Sequence, residues 1–327
     1  MLDNTEDCDW LWTPRTISAV SLEPEVGLGI GESNALWVGG YGIQNMGAKP
    51  IAKGAKGGIY AYYAFSQSGF SALLGIAPRK KLILRYPRTF FRNDFEFMNP
   101  NINGAIFQYQ STQSTAIKGQ GELVLNHFGG NLANATDMFY ASLGGKITLF
   151  DSIIFGVDTM LYHIQDINLL RTNAENSDTF LFERILYDAS VAWDLRGFSK
   201  VSDIFEVANV GFALLGEAER RKAHSGYGGF RNAIGYEISA NLQYKGFGIE
   251  ESHYFGKPQM RYFEDFGEDI YNGLPFYQTN FNRINAYYAY KNDFAKISFN
   301  LVFYVVGKRL STQQMLIFSF DSAKLWH

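Results

Sequence analysis

The sequence predicts an all-β protein, an antiparallel up-and-down β-barrel whose strands cross a membrane. The clearest observation is a two-residue period in Ile234–Tyr244, where every even position is apolar or aromatic apart from Ala240 and every odd position is small or polar. Such alternation is typical of a strand whose two faces meet different surroundings. Short turns and long connections also alternate along the chain. No run of about 18 apolar residues is present that would form a membrane-spanning helix.

The polar face of this strand favours a barrel over a packed sandwich. It carries Glu237, Asn241 and Gln243, and such groups are costly in a dry core without partners. They fit better against water inside a barrel, with Ile, Leu and Tyr side chains facing lipid. A strand of about 10–11 residues suits a tilted crossing of a bilayer. Lys245-Gly246 then turns the chain into Phe247–Gly256, which predicts a hairpin.

Composition allows one large β domain and argues against several other classes. The 327 residues include 28 Phe, 20 Tyr and 33 Gly but only 8 Pro, and mean hydropathy is −0.13. A value near zero is expected of a membrane barrel because half of each strand faces the lumen. The net charge of −3, without a basic tract, predicts no nucleic-acid partner. Because Cys8 is the only cysteine, no disulfide can form within the chain.

The chain divides into a flexible N-terminal segment at residues 1–16, a barrel at 17–320 and a C-terminal tail at 321–327. Trp10 and Trp12 make the N-terminal segment a candidate for the membrane interface. No secretory signal begins at Met1, so for an exported barrel we expect that a signal peptide has been removed. Cys8 lacks the preceding apolar segment of a lipidation signal, and we treat it as incidental.

Period-two stretches recur along the whole chain and give the candidate strands. In order, they are Ile17–Ile30, Ala35–Gly47, Gly58–Gln67, Phe70–Ile76, Gly104–Gln110, Gly121–Phe128, Met138–Leu149, Ile153–Ile164, Phe182–Trp193, Glu206–Leu214, Ile234–Tyr244, Phe247–Gly256, Arg283–Lys291, Lys296–Val306 and Gln313–Phe320. Pro24 indicates that the first is an edge or a weak strand. Because bacterial barrels need an even number of strands, we predict 14 strands, with 16 as the alternative.

The lengths of the connections predict which ends of the strands share a side of the membrane. The short connections are 68–69, 151–152, 245–246 and 292–295, and the long ones are 79–102, 165–178, 216–232 and 257–282. Short turns on one side and long loops on the other are the rule for membrane barrels. A soluble sandwich has no reason to separate them.

With this pattern, the chain resembles the outer-membrane β-barrel proteins of Gram-negative bacteria over nearly its whole length. The last strand resembles the terminal assembly signal of that class, with Leu316, Phe318 and Phe320 at the alternate apolar places. The tail at 321–327 departs from it, since such barrels usually stop at the aromatic residue. The high Tyr, Phe and Asn content is similar to barrels of the Bacteroidota. The resemblance implies a bacterial outer-membrane location, among lipids and lipopolysaccharide.

Inward-facing polar positions are the candidates for a functional lumen. They are Glu122, Lys146, Asp158, Arg184, Asp188, Glu237, Asn241, Glu250, Arg283 and Asn285. These charges could select solutes in a pore. Alternatively, ion pairs between them could brace a lumen that leaves little open channel.

The connection at 257–282 is the most distinctive loop, because it combines aromatic rings with carboxylates. Its candidate ligand-binding residues are Tyr262, Phe266, Asp269, Tyr271, Phe276 and Tyr277. Such groups suit a sugar-like or cationic ligand, or Ca²⁺ through the carboxylates. We favour the alternative that the loop folds inward and packs its aromatic rings as a plug.

The basic stretch Arg79–Arg92 and one His-Ser pair complete the candidates. The basic stretch could meet lipopolysaccharide or an acidic solute, although a solvated face is the commoner explanation. Outer-membrane phospholipases use a His and a Ser two residues apart, but Ser225 directly follows His224. Their side chains would therefore point to opposite faces of a strand. The five histidines have no metal-ligand spacing, so we predict no enzyme, cofactor or metal.

These observations favour a channel or transporter for small polar solutes. The first alternative is a non-conducting subunit of a larger outer-membrane complex that binds its partners through aromatic loops. The second alternative is an outer-membrane lipid hydrolase.

Overall fold

The computed structural model describes ten segments of the chain, which together form one barrel. The described residues are 1–6, 16–46, 55–91, 95–112, 116–127, 136–166, 179–197, 199–223, 226–259 and 279–320.

The chain forms one antiparallel sheet of 18 strand segments, and two pairs of segments each make one interrupted strand, so the closed barrel has 16 strands. They are β1 Leu2–Glu6, β2 Thr16–Leu22 with Glu25–Ile30, β3 Asn34–Asn45, β4 Ala55–Gln67, β5 Phe70–Pro78, β6 Asn101–Gln110, β7 Ile117–His127, β8 Thr136–Leu149, β9 Ile153–Asp166, β10 Thr179–Asp194, β11 Val207–Ala223, β12 Gly226–Tyr227 with Arg231–Tyr244, β13 Phe247–Gly256, β14 Asn280–Lys291, β15 Ala295–Val306 and β16 Arg309–Phe320. Each strand pairs with its neighbours in the chain, and β16 pairs with β1.

The strand count corrects the prediction of 14 strands to its alternative of 16. Both of the first two candidate strands are real, since the two parts of β2 pair with β3 in one continuous register on either side of Glu23-Pro24. Proline interrupts β2 without making it an edge, because the barrel is closed. The carbonyl oxygen of Pro24 still accepts a hydrogen bond from the Gly40 amide at 3.0 Å.

The remaining strand is β1, which corrects the prediction of a flexible segment for residues 2–6. Leu2–Glu6 pairs with β16 along its length and with the start of β2. Asp3 and Thr5 are buried on the inner face, and the Gln313 amide donates to Asp3 at 2.9 Å. A strand of five residues with polar side chains inside shows too short an alternation to be recognised in the sequence.

The two faces of the barrel have opposite compositions. Outward side chains are apolar and open to the surroundings, and Ile59 and Val26 have 82% and 73% of their surface exposed. Inward side chains include buried charges, and Glu122 is 2% exposed. This pattern is that of a barrel whose exterior contacts lipid and whose lumen is polar.

The four predicted short connections lie at one end of the barrel, although the sorting of the ends by connection length is incomplete. Residues 68–69, 150–152, 245–246 and 292–294 are short turns at one end, and the chain passes through positive φ at Lys245 (49°) and Gly246 (82°). Three connections depart from the rule. Gly307-Lys308 between β15 and β16, and residues 224–225 between β11 and β12, are short connections at the opposite end, and residues 195–206 are a long connection at the end with the short turns.

The predicted loop at 216–232 is largely strand, because β11 continues to Ala223. The residues of β11 nearest its end at Ala223 pair with β10 and β12, although both faces of the strand are polar there. Alternation is lost where a strand extends beyond the apolar band, so the sequence pattern ends before the strand does.

In the described residues, helical structure is limited to short pieces in the connections. They are the 3-10 turns Arg79–Lys81 and Leu195–Gly197 and the helices Phe95–Met98 and Ser199–Ser202. Among the described residues, no helix is long and apolar enough to cross a membrane.

Candidate solute passage

The connection between β5 and β6 enters the barrel, and we call its residues 79–91 the inner loop. Leu84 and Phe90 are buried, and Phe90 packs in an apolar cluster with Ile106, Val124 and Phe182 on the inside of the wall. The solvated face favoured for this basic stretch is therefore wrong for its buried residues, and its contact with an acidic solute stays a prediction. The aromatic side chains of the stretch explain this burial, since they gain free energy by leaving water and packing inside the barrel.

The inner loop begins at a buried arginine. The Arg79 guanidinium donates from Nη1 to the Tyr140 hydroxyl at 2.5 Å and from Nε to the Asn99 carbonyl oxygen at 2.8 Å. It also lies 4.9 Å from the centroid of the Phe95 ring, which is within cation–π range. These contacts fix both ends of the connection against β8.

Glu122 on β7 holds the middle of the inner loop. Its carboxylate accepts hydrogen bonds from the Ile83 amide at 2.8 Å, the Tyr86 hydroxyl at 2.9 Å and the Gln108 amide at 2.7 Å. Burial, followed by the charge of Glu122, raises the pKa of the Tyr86 phenol above its usual range. Tyr86 therefore keeps its proton and remains a donor to the carboxylate.

Arg88 connects the inner loop to the opposite wall of the barrel. Its Nη2 donates to Glu237 Oε1 on β12 at 3.1 Å, and its Nη1 contacts Glu250 Oε1 on β13. The second carboxylate oxygen of Glu250 lies 3.3 Å from Arg283 Nη1 on β14. The loop therefore divides the lumen, with charge-assisted hydrogen bonds at its far end.

A cavity of about 360 Å³ lies between the inner loop and the wall formed by β8–β13. On the loop side it is lined by Arg85, Tyr86, Pro87, Arg88 and Thr89. On the wall side its charged lining residues are Lys146, Asp158, Asp188, Glu237 and Glu250. Both signs of charge face this cavity, and the apolar cluster packs between the loop and the inner faces of β4–β10.

The other predicted lumen residues also lie on the inner face, away from the loop tip. Arg184 pairs with Glu219, and both side chains are 1% exposed. Asn241 accepts a hydrogen bond from the Tyr287 hydroxyl at 2.8 Å. Asn285 donates to the Asn300 side chain at 3.2 Å. These contacts brace neighbouring strands, so the structure combines the bracing and the charged cavity that the sequence analysis treated as alternatives.

Several predicted site residues lie outside the described residues. They are Tyr262, Phe266, Asp269, Tyr271, Phe276 and Tyr277 of the aromatic loop, and the pair His224 and Ser225. From the start of that loop, Gln259 is buried and donates to the Leu215 carbonyl oxygen at 3.0 Å. Within the described segments, no cluster of three or more His, Cys, Asp or Glu side chains could hold a metal ion.

The sequence analysis missed Tyr86 and Arg88 as lumen residues and assigned their stretch to the exterior. A usable signal was present, because residues 79–91 contain Leu82, Ile83, Leu84, Tyr86, Phe90 and Phe91. A loop with this many apolar side chains is costly to leave in water. The Arg88 partners could not be inferred, since Glu237 and Glu250 are about 150 positions away in the chain.

Similarity to known proteins is found among solved structures. No family model matches the chain, and no curated protein matches it. Among solved structures, a variant of Rh. blastica porin matches with a TM-score of 0.48 and 10% identity, over 98% of this chain and 96% of that chain. A variant of OccD1 (OprD) matches with a TM-score of 0.44 and 11% identity, over 98% and 92%. OccK8 (OprE) of Pseudomonas aeruginosa matches with 0.43 and 9%, over 97% and 95%.

The chain is a closed β-barrel with a lipid-facing exterior. The strand pairing and the two faces carry this assignment, as they are observed directly in this chain.

Proposed function

We propose that this protein is a channel of the bacterial outer membrane that passes small polar solutes between its inner loop and the β8–β13 wall. The observation that carries the proposal is the charged cavity of about 360 Å³ beside the loop. Charged rings in a narrow lumen select and conduct polar solutes. An apolar exterior on a closed barrel places that lumen across a bilayer.

The number of strands supports a passage rather than a filled barrel. Barrels of 16–18 strands are wide enough to leave an aqueous channel, unlike barrels of about eight strands, whose side chains fill the interior. Here the inner loop narrows the lumen and packs its apolar side chains against β4–β10. Solutes would therefore follow the charged cavity, past Arg85 and Arg88 of the loop on one side and past Lys146 and the carboxylates of the wall on the other.

Lipids of the outer membrane are the partners that the exterior fits. Its exposed Ile, Leu, Val and Phe side chains suit acyl chains. The inner loop is turned away from the surface, so lipopolysaccharide contact, if made, belongs to other connections. A channel needs no catalytic residue, cofactor or metal, and we propose none.

Planar-bilayer recording tests the channel directly. The purified chain in detergent should give discrete, voltage-stable conductance steps, while the same detergent without protein and heat-denatured protein should give none. Circular dichroism would verify that the recorded sample is rich in β structure. A silent bilayer with correctly folded protein would overturn the proposal and favour the non-conducting subunit, which should then co-purify with stoichiometric partners from its native membrane.

A further inference from the structure

Two carboxylates stand directly opposite each other on the wall of the cavity. Asp158 on β9 and Asp188 on β10 are register partners, and they are 2% and 4% exposed. Both line the space beside the inner loop. Like charges at directly opposed positions of neighbouring strands repel each other, so this position calls for a compensating positive charge.

The described part of the chain does not supply that charge by direct contact. Oδ1 of Asp158 is buried and has no hydrogen-bond partner there. Close by, Gly144 leaves room for this oxygen, since a Cβ at position 144 would lie 2.3 Å from it. A buried carboxylate oxygen without a partner is costly, and here it belongs to a side chain on the cavity wall.

Two of the three cationic side chains that line the cavity, Arg88 and Lys146, have other contacts. Arg88 contacts Glu237 and Glu250. Lys146 Nζ lies 3.4 Å from the Arg85 carbonyl oxygen. Arg88 is thus held between the loop and the far wall, whereas Lys146 lies on β8 opposite Gly156, two positions from Asp158. The charge of Lys146 acts on both aspartates, but within the described part of the chain it forms no ion-pair contact with either.

We propose that Asp158 and Asp188 form a binding site for one monovalent cation within the passage, either an inorganic ion or the ammonium group of a solute. The inference rests on the proposed channel function and adds its selectivity. Two carboxylates offer too few ligands for a closed divalent site, which takes six to eight oxygens for Ca²⁺. A cation held by two wall carboxylates beside water can enter and leave, as conduction requires.

Reversal potentials in a KCl gradient test the site. The wild-type channel should prefer K⁺ over Cl⁻, and Asp158→Asn and Asp188→Asn should each lower that preference by about fivefold, the change that one unit charge makes at about 4 Å in water. The exposed turn variant Asp293→Asn is the matched control and should keep the wild-type ratio. Replacing K⁺ by methylammonium separates the two sources, because an ammonium site would favour methylammonium over K⁺.

A second measurement does not depend on conduction. Infrared difference spectra of the purified protein, recorded on exchange of K⁺ for the bulky cation N-methylglucamine, should show a carboxylate band that disappears in the double variant Asp158→Asn/Asp188→Asn. Conducting channels with unchanged selectivity in both aspartate variants would overturn the site and leave the channel function standing. A silent bilayer would overturn the channel function, and the infrared band would then decide whether the cation site exists. No band difference between wild type and the double variant would overturn the site on either background.

Discussion

At the scale of single residues, Glu122 shows how one carboxylate positions a whole loop. It joins the inner loop, through Ile83 and Tyr86, to Gln108 on the neighbouring strand β6. Each hydrogen bond to a charged acceptor contributes about 1.5–3 kcal/mol in mutational series. The position of the loop therefore depends strongly on this one side chain.

Replacing Glu122 by Gln should loosen the inner loop. The amide keeps one acceptor oxygen but introduces donors where three donors already converge, so we expect a loss of roughly 1–3 kcal/mol in stability. Thermal unfolding followed by circular dichroism measures the stability of the protein. The noise of the open-channel current measures the mobility of the inner loop. Asp293→Asn, in an exposed turn, serves as control. Equal unfolding temperatures for Glu122→Gln and the control would contradict the anchoring role.

The ion pair between Arg184 and Glu219 leads to a different prediction, because both side chains are buried. Glu219→Ala removes the buried carboxylate that Arg184 Nε contacts and should destabilise the protein by about 3–5 kcal/mol. The double replacement Arg184→Met/Glu219→Leu removes both charges and should recover most of that loss. Thermal unfolding of the single and double variants tests this prediction. A double variant no more stable than Glu219→Ala would show that the broken ion pair is not the cause of the lost stability.

At the scale of elements, sequence periodicity located the strands that cross the apolar band and failed beyond it. Ile153–Ile164 and Ile234–Tyr244 alternate because one face meets lipid and the other meets the lumen. Leu2–Glu6 is too short to show a period, and residues 216–223 are polar on both faces. The course of the inner loop depends on Glu122, Glu237 and Glu250, which lie far away in the chain, so its own sequence could indicate burial but not direction.

We expect the inner loop to narrow the passage, with its tip held in place by Arg88. Arg88→Gln removes the charge that binds Glu237 and Glu250, and we expect a larger and noisier single-channel conductance as the tip moves. Arg231→Gln, at the exposed start of the main part of β12, removes a guanidinium elsewhere and should leave the conductance unchanged. If both variants conduct as the wild type does, the loop tip is not held by Arg88.

At the scale of the whole molecule, closure and asymmetry together define the passage. Pairing of β1 with β16 removes every sheet edge, so the lumen is separated from lipid around its full circumference. The inner loop then divides that lumen unequally, with an apolar cluster on one side and the charged cavity on the other. The charged cavity can hydrate polar solutes.

The central claim is that solutes pass between the inner loop and the β8–β13 wall, and cysteine accessibility in the bilayer tests it most directly. In a Cys8→Ser background, Ser239→Cys places a thiol on the cavity wall, whereas Ile238→Cys places one on the outer face of the same strand. A water-soluble cationic methanethiosulfonate reagent should reduce the current in steps for Ser239→Cys and leave Ile238→Cys unchanged. An unmodified current in Ser239→Cys, with the thiol shown to have reacted, would contradict the claim.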